Sequence, residues 1–342
     1  MTEKQAVLNT ESIVQDVLNS IDREREREII ARRYGLFDRK ETLEQIGELL
    51  GITRERVRQL EKSVMTKLRQ TGVELPHISD VETTVLATLA DMGQAARITT
   101  LASRLTAENT RTDQSRLAFL TELCPNVAVI SEDDTYFQAA GDKQTHDAVV
   151  MKKEIASIVE TIKKAGKPLE TKEVTKLAGM SSDAYAMALA SISKQLATLN
   201  GRWGLVKWPT VNPKNIRDKI YVILSENKKP MHFNEIAVAI KASDFKRKDV
   251  TTQAIHNELI KDKRFVLIGR GIYALKEWGY EKGTVADIIS EVLREAKEPL
   301  HRDEIVKRVL KSRFVKETTI LLNLQSKPQF KRVAKATYEL SE

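Results

Sequence analysis

One pattern recurs along this 342-residue chain, and the repetition constrains the fold more than any single motif does. Gly166-Lys167-Pro168-Leu169 followed by Glu173-Val174 parallels Lys229-Pro230-Met231-His232 followed by Glu235-Ile236. Both parallel Glu298-Pro299-Leu300-His301 followed by Glu304-Ile305. An amphipathic helix precedes each, over 155–162, 216–224 and 285–293. A second helix, a third helix and a strand pair are expected after each, the pairs falling at 203–208, 265–275 and 330–340. Residues 80–140 form a weaker fourth copy. Its helices are expected over 80–92 and 113–123, with Ile98-Thr99-Thr100-Leu101 between them and strands over 127–130 and 135–137. Aligned on Ala95, Pro168, Pro230 and Pro299, the copies are 73, 62 and 69 residues apart.

Three short helices closed by a β-hairpin describe a winged-helix-like module. Gly269 and Gly271 suit a wing turn, because glycine tolerates positive φ. A proline ahead of the second helix fits helix entry, where its missing N–H costs little. The expected fold class is therefore mainly α: a helix-turn-helix domain followed by tandem winged-helix-like modules of three helices plus a β-hairpin each. Loop-favouring residues at 72–79, 141–148, 209–213 and 279–283 divide the chain. The resulting modules are 1–72, 79–140, 151–209, 213–278 and 283–341.

Charge is distributed unevenly among these segments. The net charge of +8 resolves into 0 for residues 1–78, −6 for 79–150, +5 for 151–212, +6 for 213–280 and +3 for 281–342. The basic excess lies wholly after residue 150 and favours an anionic partner there. Hydrophobic residues at 41% suffice for folded cores, which argues against wholesale disorder. No stretch is long and apolar enough for a transmembrane helix, and the N-terminus lacks a signal-peptide core, so no membrane role is expected. The single cysteine, Cys124, excludes a disulfide framework. A cytoplasmic, nucleoid-associated setting follows as an expectation.

The most informative local segment is 42–69, TLEQIGELLGITRERVRQLEKSVMTKLR. Leu43, Ile46 and Leu50 define one helix, Gly51 breaks it, and Thr53 caps another. Val57, Leu60, Val64 and Leu68 are expected to form one buried stripe on the second helix. Its N-terminal end presents Arg54, Glu55, Arg58 and Gln59 on the opposite face. A major groove admits such a helix. There arginine can donate two hydrogen bonds to guanine, glutamate can accept from cytosine, and glutamine can pair with adenine. The bland alternative for this row is a solvated face, which the surrounding helix-turn-helix layout disfavours.

This segment, with Arg25-Glu26-Arg27-Glu28-Ile29-Ile30 and Arg33-Tyr34-Gly35-Leu36 before it, resembles region four of the bacterial sigma-seventy family over about residues 5–72. The resemblance implies that Arg54, Glu55, Arg58 and Gln59 read the bases of a promoter −35-like element in double-stranded DNA. It implies phosphate contacts from Arg33 and Thr42, to which the exposed-face cations Arg56 and Lys62 are added. It further implies that RNA polymerase core is a partner, through its β flap. The apolar stripe Ile13, Val17 and Ile21 is a candidate surface for that contact, with plain core packing as the alternative. Nothing in the sequence resembles sigma region two, so initiation by this chain alone is not expected.

Residues 213–280 resemble the HARE-HTH winged-helix family, found in the polymerase delta subunit. The resemblance rests on Ile220-Tyr221-Val222-Ile223-Leu224, the segment 229–236, Asp249-Val250-Thr251 and Phe265 with Gly271-Ile272-Tyr273. The last repeat matches more loosely. A second DNA contact is expected in the third repeat, from Lys246, Arg247 and Lys248 ahead of its third helix and from Lys261, Lys263, Arg264 and Arg270 along its wing. A solvated surface is the alternative. The acidic segment 79–150 should repel DNA, and its Asp133-Asp134 tip suggests a protein contact or a spacer.

Enzyme signatures are absent: there is no GxxxxGKS/T, GxGxxG, HExxH or GxSxG. Glu170-Thr171-Lys172 imitates the end of a nuclease motif but has no counterpart in the other repeats. His232 and His301 beside the entry prolines suit local hydrogen bonding or packing, and Cys124 a small core position. No catalytic or metal-ligating residues, cofactor or small-molecule substrate are expected. The sequence points to a sigma-like, sequence-specific transcription factor. The alternative is a delta-like polymerase adaptor that uses its repeats for protein contacts.

Overall fold

A computed structural model describes residues 7–245, 247–280, 283–312 and 315–341. The protein is mainly helical, with small antiparallel sheets. It divides into two compact units, 1–207 and 208–342. None of the described helices is long and apolar enough to cross a membrane.

The first unit begins with α1 (Thr10–Asn19), α2 (Glu24–Tyr34), α3 (Leu43–Leu50) and α4 (Arg54–Gln70). It continues with α5 (Ile78–Asp91), β1 (Ala95–Arg97), α6 (Ile98–Leu105), α7 (Arg111–Leu123), β2 (Val127–Ile130) and β3 (Ala139–Asp142). It ends with α8 (Ala148–Ala165), β4 (Leu169–Glu170), α9 (Thr171–Ala178), α10 (Asp183–Ile192), β5 (Leu196–Leu199) and β6 (Arg202–Leu205). The second unit runs through α11 (Ile216–Asn227), β7 (Met231–His232), α12 (Phe233–Ala242), α13 (Thr252–Lys261), β8 (Phe265–Leu267) and β9 (Ile272–Leu275). Then follow α14 (Val285–Ala296), β10 (Leu300–His301), α15 (Arg302–Ser312), α16 (Glu317–Ser326), β11 (Phe330–Ala334) and β12 (Thr337–Leu340).

From α5 onward one order of elements occurs four times: helix, short strand, two helices, hairpin. Each copy closes a three-stranded sheet with the last strand in the centre: β1-β3-β2, β4-β6-β5, β7-β9-β8 and β10-β12-β11. The short first strand of each sheet is not evident in the sequence. Two or three residues carry no periodicity, and only pairing to a distant strand defines them: Leu169 opposite Trp203, Met231 opposite Tyr273, Leu300 opposite Tyr338. The entry prolines therefore lead into a strand, and the helix starts after it. His232 caps α12 by accepting from the Asn234 N–H through Nδ1 at 3.2 Å, and His301 is placed alike, accepting from the Asp303 N–H at 3.4 Å.

Two hairpins differ from the sequence expectation. In the second copy the strands are β5 and β6, so 203–208 holds only part of one strand. The turn is Asn200-Gly201, both residues at positive φ (50° and 74°), the backbone a tight two-residue hairpin needs. In the acidic copy the second strand is β3 and not 135–137. The aromatic pair at 136–137 reads as strand by propensity, yet it pairs with the following copy. Tyr136 bridges Ser193, and the Phe137 N–H donates to the Ile192 carbonyl at 2.9 Å. Small residues fill β3 because space is short there: a Cβ on Gly141 would lie 2.6 Å from Met151 Sδ.

The segments 1–72 and 79–140 share one hydrophobic core. It joins Val14, Val17, Leu18, Ile30, Val64, Met65 and Leu68 to Ile78, Val85, Leu101, Leu117, Phe119 and Leu120. Helix α7 is its inner wall. Phe119 is fully buried and meets Tyr34 edge-on at 5.1 Å. Glu122 accepts from Tyr34 Oη at 3.2 Å and from Arg69 Nη2 at 2.6 Å. Buried Arg116 donates through Nε to the Leu36 carbonyl at 2.7 Å and pairs with Glu11 at 2.9 Å. The acidic segment thus packs against the preceding part of its own chain. Its Asp133 tip accepts the Thr135 and Tyr136 N–H groups, which hold the carboxyl below the usual carboxylate range. Lys194 of the next copy donates to Glu132 and to the Asp133 carbonyl at 2.8 and 2.7 Å. Cys124 is buried, and burial pushes its thiol up to about 12, so it stays a protonated core side chain.

A shared core predicts shared stability. Phe119→Ala should cost the first unit roughly 3–5 kcal/mol. Hydrogen exchange in the variant should show α1 and the C-terminal half of α4 losing protection together with α7. Retained protection in α1 would mean that the two segments fold independently.

Candidate nucleic-acid interface

The helix-turn-helix is built by local chemistry. Thr42 and Gln45 form a reciprocal capping box on α3: the Gln45 N–H donates to Thr42 Oγ1 at 3.2 Å and the Thr42 N–H to Gln45 Oε1 at 2.9 Å. Gly51 ends α3 at φ +61°, in the left-handed region that favours glycine. The Ile52 N–H returns to the Gly47 carbonyl at 2.9 Å, and Thr53 caps α4 by accepting from the Arg56 N–H at 3.2 Å. Gly47 permits the close turn, because a Cβ there would stand 2.7 Å from the Ile52 carbonyl oxygen. Behind the turn lies a small separate core of Ile29, Ile46 and Val57, flanked by Leu43, Leu50, Ile52 and Leu60.

The expected single stripe on α4 is divided between two cores. Val57 and Leu60 pack in the helix-turn-helix core, whereas Val64 and Leu68, joined by Met65, enter the larger core with α7. Seventeen residues are long enough for one helix to serve both. The N-terminal half stays free on its outer side.

Arg54, Glu55, Arg58 and Gln59 are all exposed on that outer side. Glu55 organises them. Arg58 forks onto its carboxylate at 2.9 and 2.6 Å, and Gln59 Nε2 donates to it at 3.3 Å. The Arg58 hydrogen bonds hold the Glu55 carboxyl below its ordinary value, and Glu55 in turn raises the guanidinium of Arg58. Arg54 makes no hydrogen bond or ion pair among the described residues, so its fork is directly available. Of the expected phosphate contacts, Arg56 and Lys62 are exposed. Thr42 is exposed with its oxygen engaged as a cap, which leaves its hydroxyl hydrogen free to donate. Arg33 is already used: its Nε pairs with Glu61 at 3.3 Å and its Nη1 donates to the Glu41 carbonyl, tying α2 to α4.

Arg39 and Lys40 are two residues the sequence reading passed over. Both are exposed in the loop leading to Thr42 at the start of α3. The signal was available: a basic pair just ahead of a capping box stands next to the positive end of a helix dipole. Arg25 is also engaged, donating through Nη2 to the Leu50 carbonyl at the end of α3.

The other expected contacts are rearranged. Val17 and Ile21 are buried in the large core and Ile13 packs on its edge, so burial supports the core-packing alternative for this stripe. In the third repeat, Arg264 is not a free wing cation. It clamps Asp262 at 2.7 Å and Asp218 at 3.1 Å, which raises its pKa further. Lys261 ends α13 and Lys263 lies before β8, so only Arg270 stands in the hairpin turn. That turn needs Gly271, at φ +71°, where a Cβ would meet His232 Nε2 at 2.5 Å. Arg247 and Lys248 are exposed, and the Arg247 carbonyl accepts from buried Lys219 Nζ at 2.7 Å. Lys246 lies outside the described residues.

Residues 23–70 match the family described as Sigma-70, region 4. The chain is 46% identical over 57 residues to RNA polymerase sigma factor SigA of Bacillus sp, which is 16% of this chain and 15% of that protein. It is 54% identical over 46 residues to SigA1 of Synechococcus elongatus, 13% and 12% of the two chains. It is 48% identical over 58 residues to RpoD of Helicobacter pylori, 16% and 8%. The chain therefore spans a small fraction of the length of the curated relatives it matches.

Two outcomes test this geometry. Gly47→Ala should destabilise the helix-turn-helix by about 1–3 kcal/mol, because backbone must move to admit the methyl group; thermal denaturation reads it. The Glu55 carboxyl should titrate below the ordinary range by carboxyl-carbon NMR. The Arg58 and Gln59 contacts are then complete above that depressed value and are released as pH falls through it. Arg58→Ala should return the titration toward the usual range.

Proposed function

We propose that this chain is a sigma-like, sequence-specific DNA-binding transcription factor that reads a −35-type promoter element in double-stranded DNA with α4. The observation that carries the reading is the exposed, preorganised set Arg54, Glu55, Arg58 and Gln59 at the start of a capped second helix, inside the segment that matches Sigma-70, region 4. Groups of this kind can discriminate bases because each presents a fixed donor or acceptor pattern to the groove. Arg56, Lys62, Thr42 and the Arg39-Lys40 loop supply backbone contacts around it. The partner proteins implied by the relatives' names are RNA polymerase subunits, and the polymerase core, including its β flap, is the proposed protein partner. The recurrent helix–strand–helix–helix–hairpin units are read as winged helices, of HARE-HTH type in the second unit. The protein acts by binding, at the cytoplasmic nucleoid, and not as an enzyme. In the acidic segment that would favour an adaptor role, Glu122 and Glu132 pair with Arg69 and Lys194 from outside it, and Asp113 with Arg116.

Selection of randomised duplexes followed by affinity measurement tests the reading. The wild-type chain should enrich one sequence. Arg54→Ala and Arg58→Ala should each lose about 1–3 kcal/mol on it and relax the preference at a defined base pair. Equal affinity for all sequences in the wild type would overturn the proposal.

A further inference from the structure

The four hairpins share a topology but differ in charge. The loop of the first carries Glu132, Asp133 and Asp134. The second turns on Asn200-Gly201 beside Arg202, and the third has Arg270 alone. The fourth, β11–β12, carries Lys331, Arg332 and Lys335 against a single acid, Glu339. All three cations are exposed. Lys331 is 67% exposed and reaches Glu339 only at 3.9 Å, a surface pair of little strength. Arg332 curls along its own strand, with Nε donating to the Ala334 carbonyl at 3.2 Å, and has no acidic partner among the described residues.

The backbone is shaped to present them. The register slips between Arg332 and Ala334, a bulge-like irregularity of the kind that turns side chains out of the sheet plane. Ala336 sits at φ +55°, a left-handed turn made without glycine. The third helix of the same repeat is the opposite case. The exposed positions of α16 include Glu317, Thr318, Thr319, Leu322 and Gln325, with no cation among them. The cations next to this helix, Lys316 and Lys327, stand at its two caps, whereas the hairpin beside it groups three on one short element.

We propose that the β11–β12 hairpin, through Lys331, Arg332 and Lys335, is a second DNA contact, one that grips the phosphate backbone of a duplex without reading sequence. The assignment rests on the DNA-binding reading above and departs from the sequence expectation. That expectation placed the second contact in the third repeat, where Arg264 is paired with Asp262 and Asp218 while Arg247, Lys248, Lys261, Lys263 and Arg270 are exposed but spread over a loop, a helix end and the hairpin turn.

The test is the salt dependence of duplex binding by the full chain, followed by fluorescence anisotropy for the wild type, for the triple variant Lys331→Gln, Arg332→Gln, Lys335→Gln, and for Arg58→Ala. Each phosphate contact contributes a slope of about −0.9 in log K against log salt. The triple variant should therefore lose roughly 2–3 units of slope, so its affinity changes about 40-fold less than wild type between 50 and 200 mM salt. The loss should be equal on a selected and an unrelated duplex, with base preference intact and an unchanged melting temperature. An unchanged slope with preference intact overturns the hairpin assignment alone. A reduced slope in the triple variant, with no preference to lose in the wild type, supports the hairpin and overturns the reading of α4. A slope unchanged on duplex but reduced on single-stranded RNA also overturns the proposal.

Discussion

The docking of α7 onto the N-terminal helices is the contact on which the first unit depends. Helix α7 is buried from Arg116 to Thr121 and at Leu123, its apolar side chains belong to the same core as those of α1, α2 and the end of α4, and Phe119 meets Tyr34 of α2. Burying Arg116 unpaired would be costly, so its bonds to the Leu36 carbonyl and Glu11 fix where the helix must lie. Glu122 adds a second tie by accepting from both Tyr34 and Arg69. These groups are far apart in sequence, and each closes a long loop. The result is that the outer end of α4 projects from a body larger than the helix-turn-helix itself. The orientation of the reading face is set by that body.

On the proposed function, specificity and affinity reside in different places. The segment carrying the reading face has no net charge, and its chemistry is the geometry of one carboxylate holding one guanidinium and one amide. The excess of cations, which would add sequence-independent attraction, lies after residue 150. Their usefulness depends on what surrounds them. Arg264 and Lys219 are absorbed into the packing of the third repeat, while Lys331, Arg332 and Lys335 remain exposed in the fourth. A count of basic residues could not separate these cases, because pairing and burial decide whether a charge reaches a phosphate.

Features resting on neighbouring residues were legible in the sequence. The cap at Thr53, the break at Gly51 and the row from Arg54 to Gln59 follow from spacings of three and four residues. The recurrence of helices and hairpins was legible for the same reason. The two-residue entry strands were not, since nothing local marks a strand that short. The placement of 135–137 failed because pairing across copies overrode the propensity of two aromatic residues.

By itself the sequence determined the helix-turn-helix, the exposed polar face of its second helix and the repeated order of elements, because capping, helical periodicity and tight turns are settled within a few residues. Only the tertiary structure decided which side chains those elements leave available. Arg264 meets Asp218 across 46 positions, Arg69 meets Glu122 across 53, and Val17 and Ile21 face inward once α7 has docked. The physical reason is range. Charge pairing and burial act through space, and the separations they close leave no periodic trace along the chain.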